Sequence, residues 1–229
     1  MTSSLPEPGC VDLKQLRYLL FDVDGTLVDT IRLILDTFHD TLRILKMPAL
    51  SDEEILSQIG RPLHLQMRDL DWMREGELFA LYSRLYRKNH DRLAKSIPGV
   101  KEALASLEER GYRMGVVTSK RSFSTRSDLK FFELDTFFEV MIAADNTSHH
   151  KPHPEPVLTA LELLGASPAQ ATYIGDSPYD LRSAHAAGVL AGAVEWSPFP
   201  METLQAENPD YWVPSPQSLT DLFPGPPMK

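Results

Sequence analysis

Five short apolar runs, separated by stretches of helical periodicity, restrict this 229-residue chain to an α/β architecture. They are RYLLFDV at 17–23, YRMGVVTS at 112–119, FFEVMIAA at 137–144, ATYIGD at 171–176 and VLAGAVEW at 189–196. Continuous apolar runs of this length are what strands buried on both faces require. Their alternation with helices predicts a Rossmann-like parallel sheet with helices on both faces. The connecting helices are punctuated as expected. Pro98-Gly99 opens one that Gly111 closes, Ser167 stands before another apparent first turn, and Pro178 starts a last one that Gly188 terminates.

Residues 31–94 break the alternation with several helical stretches in a row and no convincing strand. IRLILDTFHDTLRILK reads as one helix, Ser51 with Glu54 as the capping-box start of a second, and ELFALYSRLYRKNHDRL as a longer one. The expected organisation is a discontinuous α/β core over 1–28 and 97–229 with a small all-helical cap domain over 29–96. Proline-rich residues 197–229 predict an irregular tail with at most a short strand at Tyr211 to Val213.

A net charge of −9 argues against nucleic acid or an anionic membrane as partner, and no apolar run approaches the roughly 20 residues of a membrane span. The opening MTSSLPEPGC lacks the basic start and apolar stretch of a secretory signal, so the expected compartment is the cytoplasm. Cys10, the single cysteine, reads as a bystander. An acidic chain that handles phosphate must carry local positive charge at its site, from a metal, a lysine or helix N-termini.

The strongest chemical signal is Phe21-Asp22-Val23-Asp24-Gly25-Thr26-Leu27, two carboxylates one residue apart at the end of an apolar strand. Strand ends are where α/β enzymes place ligands, and strict alternation would put both acids on one face. The segment resembles the DxDGT[LV] signature of the haloacid dehalogenase superfamily, and the resemblance extends from Tyr18 to Trp196. It implies that Asp22 attacks phosphorus to give an aspartyl-phosphate and that Asp24 acts as general acid and base. Such chemistry suits a carboxylate nucleophile beside a second acid. Thr118 aligns with the hydroxyl that holds the phosphoryl group, with Ser119 as a near alternative. Lys151, in a KPxP segment, aligns with the lysine that pairs with the nucleophile. Gly175-Asp176-Ser177-Pro178-Tyr179-Asp180 resembles the family's metal segment. The resemblance thus implies Mg²⁺ held by Asp22, the Asp24 carbonyl and Asp176, with Asp180 as a metal or outer ligand; hard oxygen donors suit that ion. His149, His150 and His153 lie close in sequence, but Pro152 and Pro154 disfavour helical spacing and no cysteine or carboxylate completes a zinc set.

The acid at Asp24 separates this chain from family members that cleave carbon–halogen or phosphonate bonds and favours an oxygen leaving group. Ile59-Gly60-Arg61-Pro62-Leu63 and the segment from Lys151 to Leu158 look like the phosphoglycolate phosphatase and pyrophosphatase branch. The implied activity is hydrolysis of a small phosphorylated substrate by a monomer or homodimer. A sugar-phosphate mutase of the same fold and a non-catalytic phospho-ligand-binding protein are the alternatives. Arg61, in a short exposed loop between Gly60 as a helix stop and Pro62 as a helix start, is the candidate contact to the part of the substrate that is not transferred.

Overall fold

The computed structural model describes residues 13–226, which leaves Cys10 outside the described residues. The first apolar run forms β1 (Tyr18–Phe21), followed after a turn by the two-residue β2 (Val28–Asp29). Four helices come next: α1 (Ile31–Ile44), α2 (Asp52–Leu56), α3 (Leu63–Leu70) and α4 (Glu75–Leu93). The chain returns through β3 (Lys95–Ser96), antiparallel to β2. It then alternates through α5 (Val100–Glu109), β4 (Arg113–Val117), α6 (Ser122–Phe131), β5 (Val140–Ile142), α7 (Glu155–Leu164), β6 (Ala171–Gly175), α8 (Pro178–Ala187) and β7 (Leu190–Val194). Last come α9 (Met201–Gln205), β8 (Tyr211–Val213) and α10 (Ser218–Leu222).

Six parallel strands form one sheet in the order β5-β4-β1-β6-β7-β8. Side-chain alternation along β1 explains the two covering layers: Leu19 and Phe21 enter the core on one face, Leu20 the core on the other. The first face is closed by Val100, Ala103, Leu104 and Leu107 of α5, the second by Val157, Ala160, Leu161 and Leu164 of α7 with Leu181 and Ala184 of α8. Each contributes residues at helical spacing, so an apolar stripe meets an apolar sheet. Truncating a fully buried leucine such as Leu20 to alanine costs about 2–5 kcal/mol.

The four helices between β2 and β3 bury a third apolar cluster that includes Leu33 and Phe38 of α1, Ile55 of α2, Met67 of α3 and Tyr82 of α4. This is the helical cap. Its second helix starts as expected: Ser51 Oγ accepts the Glu54 N–H at 3.2 Å, while Glu54 Oε2 accepts the Ser51 N–H at 2.7 Å.

Three expectations change. The segment after 197 is not an irregular tail: β8 is the sixth strand, α9 and α10 flank it, and Phe223 is fully buried. The short strand expected at Tyr211 to Val213 is there, but proline punctuation hid the two five-residue helices around it. Ser167 starts a single 3₁₀ turn (Pro168–Gln170), because the helix before β6 is α7, which begins after Pro154. The paired β2 and β3 have two residues each, too few to show a period-2 pattern in sequence.

Candidate active site

The sheet order puts β1 between β4 and β6, with Phe21 paired to Val116 on one side and Ile174 on the other. Asp22, Thr118 and Asp176, each just beyond its strand, therefore meet at the carboxyl edge, where strand order reverses direction from β1. The Asp22 N–H donates to the Ile174 carbonyl at 3.0 Å and the Thr118 N–H to the Ile142 carbonyl at 2.8 Å, so the backbone fixes both positions.

Asp24 reaches the site differently from the expected strand alternation. The strand ends at Phe21, and the Val23 carbonyl accepts the N–H groups of Leu27 at 2.9 Å and Val28 at 3.0 Å, closing a turn. Gly25 allows that turn, with φ of 80°; a Cβ on it would lie 2.2 Å from Asp176 Oδ2. The turn delivers Asp24 so that its Oδ1 accepts hydrogen bonds from Thr30 Oγ1 at 2.5 Å and Lys120 Nζ at 2.7 Å.

Asp22, Lys151, Asp176 and Asp180 are all buried. Lys151 Nζ faces Asp22 Oδ1 at 3.2 Å and donates to Tyr173 Oη at 3.0 Å and to Asp180 Oδ1. Burial alone would lower the Lys151 pKa, but Asp180 and Asp22 more than offset this and hold the ammonium above its usual value. Asp180 has both oxygens committed: Oδ1 to Lys151 and Tyr173, Oδ2 to the N–H and Oγ of Ser177, where it caps α8.

Three buried carboxylates against one lysine leave an excess of negative charge. Burial pushes Asp22 up to about 7, with Asp180 and Asp24 acting in the same direction and Lys151 opposing. Burial, then Asp180 and Asp22, raises Asp176 well above the usual carboxylate range. Among the described residues, Asp22 Oδ1 and Asp176 Oδ2 accept no hydrogen bond. Donor atoms of Asp22, Asp176 and Asp180 lie within 4.8 Å of one another. Crowded carboxylates of which Asp176 Oδ2 accepts nothing and Asp22 Oδ1 meets only the Lys151 ammonium fit a small hard dication, which would reverse the upward shifts.

Asp22, Asp24, Thr118 and Ser119 line a cavity of about 300 Å³ whose opposite wall is the cap, through Phe38, Arg61 and Tyr82 among others. Ser119 Oγ donates to the Gly60 carbonyl at 2.6 Å, and a Cβ on Gly60 would sit 2.7 Å from Ser177 Oγ. The loop at Gly60 is therefore pressed against the core instead of standing free. Arg61 borders the cavity, but its guanidinium donates to Asp69 Oδ2 at 2.6 Å and to Gln58 Oε1. Pro62 precedes α3 as its cap residue.

A sequence profile described as haloacid dehalogenase-like hydrolase matches residues 19–194. The chain belongs to that family. A PpaX protein of Caldanaerobacter subterraneus is 41% identical over 207 residues, covering 90% of this chain and 94% of the relative. Pyrophosphatase PpaX of Bacillus cereus is 35% identical, covering 92% of this chain and 96% of its own. Among crystal structures, a Geobacter sulfurreducens HAD-superfamily hydrolase of subfamily IA superposes with a TM-score of 0.69 at 30% identity, covering 91% of this chain and all of that one. One from Haemophilus somnus, described as a "predicted phosphoglycolate phosphatase", has a TM-score of 0.79 at 25% identity and covers 91% of this chain and 98% of that one.

Two features of this haloacid dehalogenase-like hydrolase escaped the sequence reading. Lys120, two residues past Thr118, is held between Asp24 and Asp128 with its side chain 9% exposed, and only its place after an apolar run ending in hydroxyls hinted at it. Glu155 joins His149 and His153, with donor atoms within 4.8 Å, so a carboxylate does complete that exposed set. The cluster is closed on itself: His149 Nδ1 contacts Glu155 Oε2 at 2.5 Å, and His153 Nδ1 accepts the Glu155 N–H at 3.1 Å. Among the described residues, no helix is long and apolar enough to cross a membrane.

Proposed function

We propose that this hydrolase is a Mg²⁺-dependent phosphatase that cleaves a small phosphorylated metabolite, a phosphoglycolate-like monoester or pyrophosphate, through phosphorylated Asp22. The observation that carries this reading is the pairing of two differently held acids at one cavity. Asp22 is backed by Lys151 at 3.2 Å, whereas Asp24 is held through Oδ1 alone, by Thr30 and Lys120. The names of the relatives, pyrophosphatase PpaX and phosphoglycolate phosphatase, support the substrate range. A cavity of about 300 Å³ suits a small metabolite.

In this mechanism an Asp22 oxygen attacks phosphorus, and the leaving oxygen takes a proton from Asp24 Oδ2. Asp24 then accepts a proton from the water that hydrolyses the acyl phosphate. Lys151 offsets the charge that gathers when a phosphoryl group meets Asp22, and Asp180 holds that lysine in place. Thr118 offers its hydroxyl to the phosphoryl oxygens. Mg²⁺, held by Asp22, the Asp24 carbonyl and Asp176, would supply neutralisation of the phosphoryl oxygens. Asp180 acts from behind that set, because both its oxygens are already engaged. The cap over residues 29–96 closes the cavity from the other side and excludes water.

The deciding experiment is phosphate release from pyrophosphate, phosphoglycolate and hexose phosphates with Mg²⁺. Hydrolysis of either of the first two is expected. Interconversion of hexose phosphates without net release of phosphate would replace this reading with a mutase.

A further inference from the structure

We infer that the acid Asp24 is positioned by a cage shared between core and cap, in which Lys120, Asp128, Tyr86 and His90 act as positioning residues. This inference rests on the assignment of Asp24 as the general acid. An ammonium group has three N–H donors. On Lys120 all three have acceptors: Asp24 Oδ1 at 2.7 Å, Tyr86 Oη at 2.7 Å and Asp128 Oδ2. Lys120 borders the cavity, yet it has no donor left for a substrate oxygen, so it acts on Asp24 and not on the phosphoryl group. With every donor taken, the ammonium has one orientation, and Asp24 Oδ1 is fixed with it.

The cage has two walls. Asp128, on α6 of the core, is 1% exposed; its Oδ2 accepts from Lys120 and its Oδ1 faces His90 Nε2 at 3.0 Å. Tyr86 and His90 sit one turn apart on α4 of the cap, at the i, i+4 spacing that puts two side chains on one helix face. Tyr86, His90 and Asp128 are buried at the seam between cap and core and Lys120 nearly so; apart from His90 Nδ1, which meets Asp91 Oδ1 at 2.9 Å, their polar atoms face one another and Asp24. Their polar atoms have no purpose in packing that an apolar set would not fill better. What they achieve is to make the placement of Asp24 depend on the cap being seated.

Two classes of effect separate positioning from simple structural support. Loss of acid placement should slow substrates with poor leaving groups and spare p-nitrophenyl phosphate, whose phenolate leaves with little protonation. Structural damage should slow both alike. We expect Asp128→Asn and Tyr86→Phe each to lower kcat for an alkyl phosphate by about tenfold or more, with a change of less than about threefold for the nitrophenyl ester. Asp24→Asn serves as the reference. If Asp24→Asn shows the leaving-group split and both cage variants slow the two substrates equally, the cage inference is overturned while the acid assignment stands. Should Asp24→Asn itself show no split, the acid assignment fails first and the cage inference goes with it. Tyr86→Phe keeps the ring and its packing, so it guards against a failure of Asp128→Asn to fold. In a double variant, Asp24→Asn with Tyr86→Phe should be no slower than Asp24→Asn alone; additive losses count against the inference.

Discussion

Asp22→Asn keeps the shape of the nucleophile and removes its capacity to attack phosphorus, so turnover should fall to background while far-ultraviolet circular dichroism stays that of the wild type. Measurable turnover near the wild-type rate would return Asp22 to a purely electrostatic role. Arg61 poses the opposite problem, since its guanidinium already has a carboxylate partner in Asp69. For Arg61 to grip a second anionic group on the substrate, that group must compete with an exposed ion pair of small net worth. Arg61→Ala should then raise KM for the anionic substrate about tenfold or more and leave p-nitrophenyl phosphate hydrolysis nearly unchanged. Asp69→Asn should lower the same KM by freeing the arginine. If both variants leave KM where it was, the cap selects substrate through another residue.

At the level of helices and strands, the joint between α4 and α6 is built on a titratable contact. Hydrogen bonding to Asp128 raises the His90 pKa above its usual value, with Asp91 adding to the effect and burial opposing it. A histidine whose folded pKa is raised contributes stability that is complete below the unfolded pKa and is lost as pH rises through the folded value. The joint should therefore weaken on the alkaline side of about pH 6.5. Thermal unfolding of wild type and His90→Gln from about pH 6 to pH 9 checks this: their separation should narrow as pH rises. A constant separation would assign the stability of the joint to packing against Phe131 and Phe132. What the sequence made legible follows the same division by element. Apolar strands that end in acids or hydroxyls stand out because both the fold and the chemistry mark them, as at Asp22, Thr118 and Asp176, while Lys151, in the loop between β5 and α7, was marked by its KPxP motif alone. Asp128 and His90 carry no local mark: each lies near the C-terminal end of its helix outside any motif, and only the docking of α4 on α6 brings them together. The strand β8 was legible at Tyr211 to Val213, whereas the five-residue helices α9 and α10 on either side of it were not, and the Asp24 turn escaped because the strand stops two residues earlier than its apolar pattern does.

For the molecule as a whole, the concentration of carboxylates under the sheet edge ties stability to the cation. Asp22 has a usual pKa of 3.8 and is pushed up to about 7 in the folded, metal-free protein, and Asp176 moves the same way. This is the reverse of the usual salt-bridged carboxylate. The native state holds more protons than the unfolded chain between those values, so these groups make the folded protein less stable as pH rises through that window. Binding of Mg²⁺ would bring the folded-state values down and remove the loss. In EDTA, the midpoint of thermal unfolding should fall by several degrees between about pH 5 and pH 7.5, and saturating Mg²⁺ should abolish most of that fall. Other groups titrate in the same range, so the decisive quantity is the difference from Asp176→Asn. That variant removes one buried negative charge while its amide oxygen can still accept from Thr26 Oγ1, which lies 3.3 Å from Asp176 Oδ1. In EDTA at about pH 7.5 it should be more stable than wild type, and Mg²⁺ should raise its midpoint little. A variant that is less stable than wild type in EDTA would mean that the Asp176 charge is balanced within the protein. The carboxylates would then need no cation to be accommodated.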